Sequence, residues 1–131
     1  MTENDLPFLK ELCLRRYGNQ YAPVETEAWF KNIVLKAPLL FNAVRTEHAF
    51  CISMLSILPW LPNDIECNVI FICSDDGYGW EAVRLLRYSM TWAKERKCSR
   101  WYLASETEYD IGPIAKRAGT KEITPRYKVT F

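Results

Sequence analysis

The sequence predicts an α/β chain of the α+β kind, with a mixed, mostly antiparallel central sheet, a βαβ core and flanking helices. Three observations carry that prediction. Residues 67–73 (CNVIFIC) are a near-continuous apolar run rich in β-branched and aromatic side chains, which reads as a buried strand. Residues 80–97 switch to helical period. Val83, Leu86, Met90 and Ala93 form one stripe, widened by Leu85, Tyr88 and Trp92, while Arg84, Arg87, Lys94 and Glu95 lie largely off it. Residues 100–104 (RWYLA) return to strand character, so 66–105 reads as a βαβ unit with nearly parallel strands.

The other elements follow from local signals. Asp5 before Leu6-Pro7 starts a first helix whose stripe is Phe8, Leu9, Leu12, Cys13 and Tyr17, with Gly18 as its stop. A second helix is expected from Thr26, a good N-cap, with Trp29, Phe30, Ile33 and Val34 on its inner face and Pro38 closing it. Residues 40–45 and 49–58 read as an antiparallel hairpin turning at Thr46-Glu47-His48. Two prolines and Asn63-Asp64 assign 59–64 to a loop. After a polar loop at 106–110, a short helix at 111–117 ends at Ala118-Gly119, and 121–124 and 127–131 alternate as strands. The order is α-α-β-β-β-α-β-α-β-β, without repeat or linker, and 1–131 reads as one domain.

Composition narrows the class of protein without naming a function. A chain of 131 residues buries roughly two-thirds of its unfolded surface, enough for a core without disulfide staples. A formal net charge of +1 gives no reason to expect nucleic acid, and no apolar run approaches the ~18 residues of a membrane span. Five cysteines is an odd count without metal-ligand or C-x-x-C spacing, so they read as reduced thiols in a cytoplasmic, intracellular setting. Arg84, Arg87, Lys94, Arg96, Lys97 and Arg100 read as the solvated face of the long helix.

Between the central strand and the long helix lies Asp76-Gly77-Tyr78-Gly79-Trp80-Glu81, with Leu85-Leu86 following. That segment, within this element order, resembles the GNAT superfamily of acyl-CoA-dependent N-acyltransferases. There, a loop of pattern Q/R-x-x-G-x-G/A opens a helix whose free amides and dipole hold the pyrophosphate of coenzyme A. The resemblance covers nearly the whole chain by element order and about ten positions by residue. It implies acetyl-CoA as cofactor and acetyl transfer to an amine. Backbone groups of Phe71, Ile72 and Cys73 would pair with the pantetheine arm, and Gly77, Tyr78, Gly79 and Trp80 would cradle the phosphates.

The chain also departs from the family pattern. Asp76 stands where the loop begins with Gln or Arg, Asp75 precedes it, and Glu81 stands where a small residue belongs. Each carboxylate would repel a polyanionic ligand by roughly 1–4 kcal/mol in a partly screened site. The family's general acid is a Tyr four residues before the last Gly, where this chain has Ala115; Tyr109 is the Tyr near it in sequence. Base candidates are Glu66, Asp64 and His48, the last expected in an exposed hairpin turn. Trp80 reads as core, and Cys73 would be reactive only if exposed. Two functional readings follow. One is an acyltransferase with an open V between the third and fourth strands. The other is a catalytically degenerate GNAT-fold structural or protein-binding component, such as a phage virion or accessory protein, with that opening filled or with a flat apolar patch for a homo- or hetero-oligomeric partner.

Overall fold

The computed structural model describes residues 1–103, 112–121 and 129–130. Helix α1 spans Leu6–Tyr17 and α2 spans Pro23–Trp29, continuing through a π-helical turn at Phe30–Val34. Strands β1 (Phe41–Arg45), β2 (Ala49–Leu58) and β3 (Leu61–Ser74) follow, then α3 (Gly79–Glu95), β4 (Arg100–Leu103) and α4 (Gly112–Arg117). The four strands lie in sequence order. β1, β2 and β3 pair antiparallel, and β4 pairs parallel to β3. The mixed sheet and the βαβ core are as the sequence predicts. The expected strands at 121–124 and 127–131 lie outside the described residues.

The sheet is buried on both faces. Under α1 and α2, Leu9, Leu12, Cys13, Phe30 and Val34 pack on Phe50, Ile52 and Cys73. The Phe71 ring meets Phe50 edge-on at 4.9 Å between centroids. Across the sheet, Ala82, Val83, Leu85 and Leu86 of α3 pack with Ala118 on Ala49, Cys51, Val69 and Ile72. A two-residue period alone would not place Val69 and Ile72 on one face. They share it because Ile52 faces Phe71 while Ser53 faces Val69, leaving Ile70 as an unpaired bulge.

Four expectations need correcting. The second helix starts at Pro23 rather than Thr26, because proline at the first helical position lacks only an N–H that would be unpaired there anyway. Its π turn, closed by Leu35 N–H to Phe30 C=O at 3.0 Å, stacks Phe30 over Val34 and leaves Ile33 exposed. The stretch 59–64 is not a loop: Pro59 and Trp60 make the turn, and β3 begins at Leu61 opposite Leu58. The ladder resumes only at Ile57–Ile65, so Pro62, which has no N–H, stands with Asn63 and Asp64 outside the register. Finally, Tyr88 is exposed, because it lines an open cleft of about 460 Å³ with Trp92, Phe41 and Asn42 instead of facing the sheet.

Two local features hold α3. Its C-terminus closes with Cys98 N–H to Ala93 C=O at 3.0 Å, which forces Lys97 to φ +59°, a conformation glycine adopts without strain. In its middle, the buried Ser89 hydroxyl lies 2.6 Å from that of Ser53 on β2 and accepts from the Trp101 indole N–H at 3.0 Å on β4. Lys97→Gly should therefore raise stability by about 0.5–1 kcal/mol in urea denaturation. Ser89→Ala should cost about 1–3 kcal/mol by leaving the indole N–H unpaired and the Ser53 hydroxyl with only the Cys51 sulfur at 3.9 Å. An unchanged urea midpoint in either variant would contradict its local account.

Candidate functional site

The glycine loop is a tight turn at the end of β3. Asp75 N–H donates to His48 C=O at 2.8 Å, Tyr78 N–H donates to Asp75 C=O at 3.0 Å, and Gly77 takes φ +81° between them. A side chain at position 77 would be strained by that φ alone. Helix α3 then starts at Gly79 with no side-chain cap on its first amides. Glu81 N–H donates back to Tyr78 C=O at 3.0 Å, whereas the amides of Gly77, Gly79 and Trp80 have no partner among the described residues.

The three carboxylates that the sequence sets against an anionic ligand are each matched by a cation or an imidazole from elsewhere. Asp75 takes a two-point contact from Arg15 of α1, Nε at 3.3 Å to Oδ1 and Nη2 at 3.0 Å to Oδ2, and its Oδ1 also accepts the Asp76 amide at 3.1 Å. Asp76, fully in water, has Arg16 Nη1 at 3.9 Å. Glu81 turns inward and is buried: Oε2 lies 2.9 Å from His48 Nδ1, and Oε1 accepts the His48 backbone N–H at 3.3 Å. Burial opposes ionisation of Asp75 and of Glu81, but the hydrogen bonds from Arg15 and Asp76, and from Thr46 and His48, hold both carboxyls below their ordinary values. The expected repulsion is largely cancelled within the fold.

The sequence-predicted residues fall into separate groups. His48 is in the hairpin turn as expected, yet it is not free, because its ring stacks on Tyr78 at 3.7 Å and 13° while Nδ1 holds Glu81. Trp80 is not core. It is 54% exposed, with the Arg84 guanidinium 5.9 Å from its ring centroid, because Gly79 begins the helix with position 80 turned to water. Tyr78, Gly79 and Trp80 share the loop, and Phe71, Ile72 and Cys73 lead into it on β3. Among the described residues, parallel pairing with β4 covers Glu66–Val69 against Arg100–Leu103, so the stretch 70–73 has β2 on one side and no described residue of β4 on the other.

Glu66 and Asp64 do not join that group. Both bind Arg100, whose Nη2 lies 2.8 Å from Glu66 Oε1 and 2.7 Å from Asp64 Oδ2, across the start of the parallel pair. Eight residues of strand, about 26 Å, separate Glu66 from Ser74. Ala115 is partly buried, and its carbonyl accepts the Thr120 hydroxyl at 2.8 Å. Tyr109 lies outside the described residues. Cys73 is buried against Cys13, whose thiol is pushed up by contact with the Cys73 sulfur and by burial; burial also pushes Cys51 up to about 12 and Cys67 up to about 11. These are poor conditions for a thiolate nucleophile. Among the described residues no cluster of His, Cys, Asp and Glu could hold a metal ion, and no helix is long and apolar enough to cross a membrane.

Two helices on one face, an antiparallel run of three strands, a glycine loop opening the long helix on the other face and a parallel fourth strand together define the fold. The chain adopts the GNAT fold that its sequence resembles, and solved structures match it over their full architecture. A candidate acetyltransferase from Agrobacterium tumefaciens str. C58 superposes with a TM-score of 0.78 at 16% identity, covering 100% of this chain and 96% of that one. A transcriptional regulator from Bacillus halodurans C-125 gives 0.76 at 17% identity, with coverage of 100% and 96%. A ribosomal-protein-alanine N-acetyltransferase from Brucella melitensis biovar Abortus 2308 gives 0.71 at 15% identity, with the same coverage. No protein-family model and no curated protein matches the sequence.

The Glu81 arrangement makes a prediction about acid stability. A carboxyl whose folded value is depressed adds stability above its unfolded value, and that stability is lost as pH falls through the folded one. The Glu81 contribution should be complete above about pH 5.5 and fade as pH falls below the ordinary glutamate value. Glu81→Gln should lower stability at pH 7 by about 1–3 kcal/mol and flatten the acid limb in urea denaturation between pH 3 and 7. A variant that loses stability with acid as steeply as the parent would show that Glu81 is not the group responsible.

Proposed function

We propose that the chain binds coenzyme A and transfers an acetyl group from acetyl-CoA to an amine. The observation that carries this reading is the set of three open amides, Gly77, Gly79 and Trp80, in a loop whose aspartates pair with Arg15 and Arg16 and whose Glu81 is drawn inward onto His48. Unpaired amides at a helix start favour an anion, and the resemblance of this loop to the superfamily's pyrophosphate-binding pattern supports the reading. The β3 edge from Ile70 to Cys73, which no described residue of β4 covers, offers backbone groups to an extended amide-containing arm, as in strand addition.

When bound, acetyl-CoA supplies an activated thioester. The chain's own contribution is then to position that thioester beside the acceptor and to exclude water, which can account for a large rate factor without a dedicated acid. Glu66 and Asp64 are committed to Arg100, and Ala115 has no proton to give, so none of these three takes the acid or base role. The acceptor amine would enter already neutral, and transfer should rise with pH as more of the amine is deprotonated.

A specific observation favours a second reading, a catalytically degenerate binding component. Leu39, Leu40, Ile57, Trp60 and Leu61 are all exposed around the β2–β3 hairpin, where Leu55 N–H reaches Leu40 C=O at 2.9 Å. Such a patch suits a protein partner. Calorimetric titration with CoA and acetyl-CoA, together with amide chemical-shift mapping, separates the two. The first reading expects one-site binding and shifts concentrated at Gly77, Gly79 and Trp80, with Glu66→Gln leaving affinity within a factor of about two. No heat and no shifts at millimolar ligand would leave the second reading standing.

A further inference from the structure

Resting on the coenzyme A reading, we infer that Arg15 of α1 is the cationic half of the anion site, donating to a phosphate of the ligand's diphosphate while Asp75 holds it in place. A guanidinium has five N–H donors in a fixed fork. Nε and one Nη2 proton are used on Asp75, which leaves Nη1 and the second Nη2 proton without a partner among the described residues. The Arg15 side chain is 51% exposed, so that second edge is open to solvent. Its position is fixed from the loop itself. Asp75 Oδ1 accepts both Arg15 Nε and the amide of Asp76, one residue before the open Gly77 amide. The two-edged geometry lets one guanidinium hold a carboxylate on one side and a phosphate oxygen on the other. It also accounts for a loop that carries Asp76 where the resembled pattern has Gln or Arg, because the positive charge arrives from another element.

Arg15 could affect binding in two ways: by cancelling Asp75, or by touching the ligand. A double-mutant cycle separates them. CoA dissociation constants are measured by calorimetry at low salt for the parent, R15Q, D75N and R15Q/D75N, each checked for unchanged melting. Direct donation predicts that R15Q weakens binding roughly tenfold or more even in the D75N background. An effect below twofold in that background overturns the inference and leaves the coenzyme A reading intact. Parent protein that binds no CoA at millimolar concentration overturns both. If R15Q unfolds, R15K serves instead. It keeps the ion pair but not the fork, and should bind CoA severalfold more weakly at unchanged melting temperature; parent-like affinity overturns the inference.

Discussion

The pairing of buried Glu81 with half-buried His48 is the contact on which the site depends. It joins the turn between β1 and β2 to the first turn of α3, two elements that no strand pairing connects. A carboxylate in the first turn of a helix is favoured by the dipole, but burying it requires partners for both oxygens. His48 supplies one with its ring and one with its backbone, and its carbonyl then accepts the Asp75 amide. The glycine loop is therefore pinned at both ends by one residue of a hairpin turn. Because Glu81 is drawn inward, its charge faces the interior instead of the three open amides.

The rest of the electrostatic pattern follows the same logic. Arg15 and Arg16, consecutive on α1, reach across to consecutive aspartates in the loop. Exposed pairs of this kind add little to stability, on the order of 0–1 kcal/mol each. Their value lies in local charge, since a loop with three uncompensated carboxylates would exclude a phosphate ligand. Helix α1 is held in place by Leu9, Leu12 and Cys13, packed on Phe50, Ile52 and Cys73. Core packing of α1 thus sets the charge beside the loop. Coupling of this kind between packing and electrostatics lets a chain diverge from a loop pattern while retaining its geometry.

The bulge at Ile70 has a comparable role in the sheet. It switches the side-chain parity of β3, so that Phe71 and Cys73 face α1 and α2 while Ile72 faces α3 together with Val69. The bulge also falls where, among the described residues, pairing with β4 stops. Beyond it, β3 keeps β2 as its partner among the described strands.

Much of the architecture was legible in the residues. The helical stripe at Val83, Leu86 and Ala93, the apolar run through Cys67–Cys73 and the turn at Thr46-Glu47-His48 are local signals, and the elements form where those signals lie. The sequence alone also determined the loop, because Gly77 is the residue type that tolerates φ +81° and proline or β-branched residues are absent from it. It did not reveal that Trp80 is exposed, that Pro62 sits inside a strand, or that Glu81 is buried. Nor did it distinguish Arg15 from any other solvated arginine of an amphipathic helix. Those outcomes depend on which residues meet across the fold, 33 positions apart for His48 and Glu81 and 60 apart for Arg15 and Asp75. Local periodicity fixes what each segment can become. Only tertiary contact decides whether a carboxylate beside a helix start repels a ligand or is already neutralised.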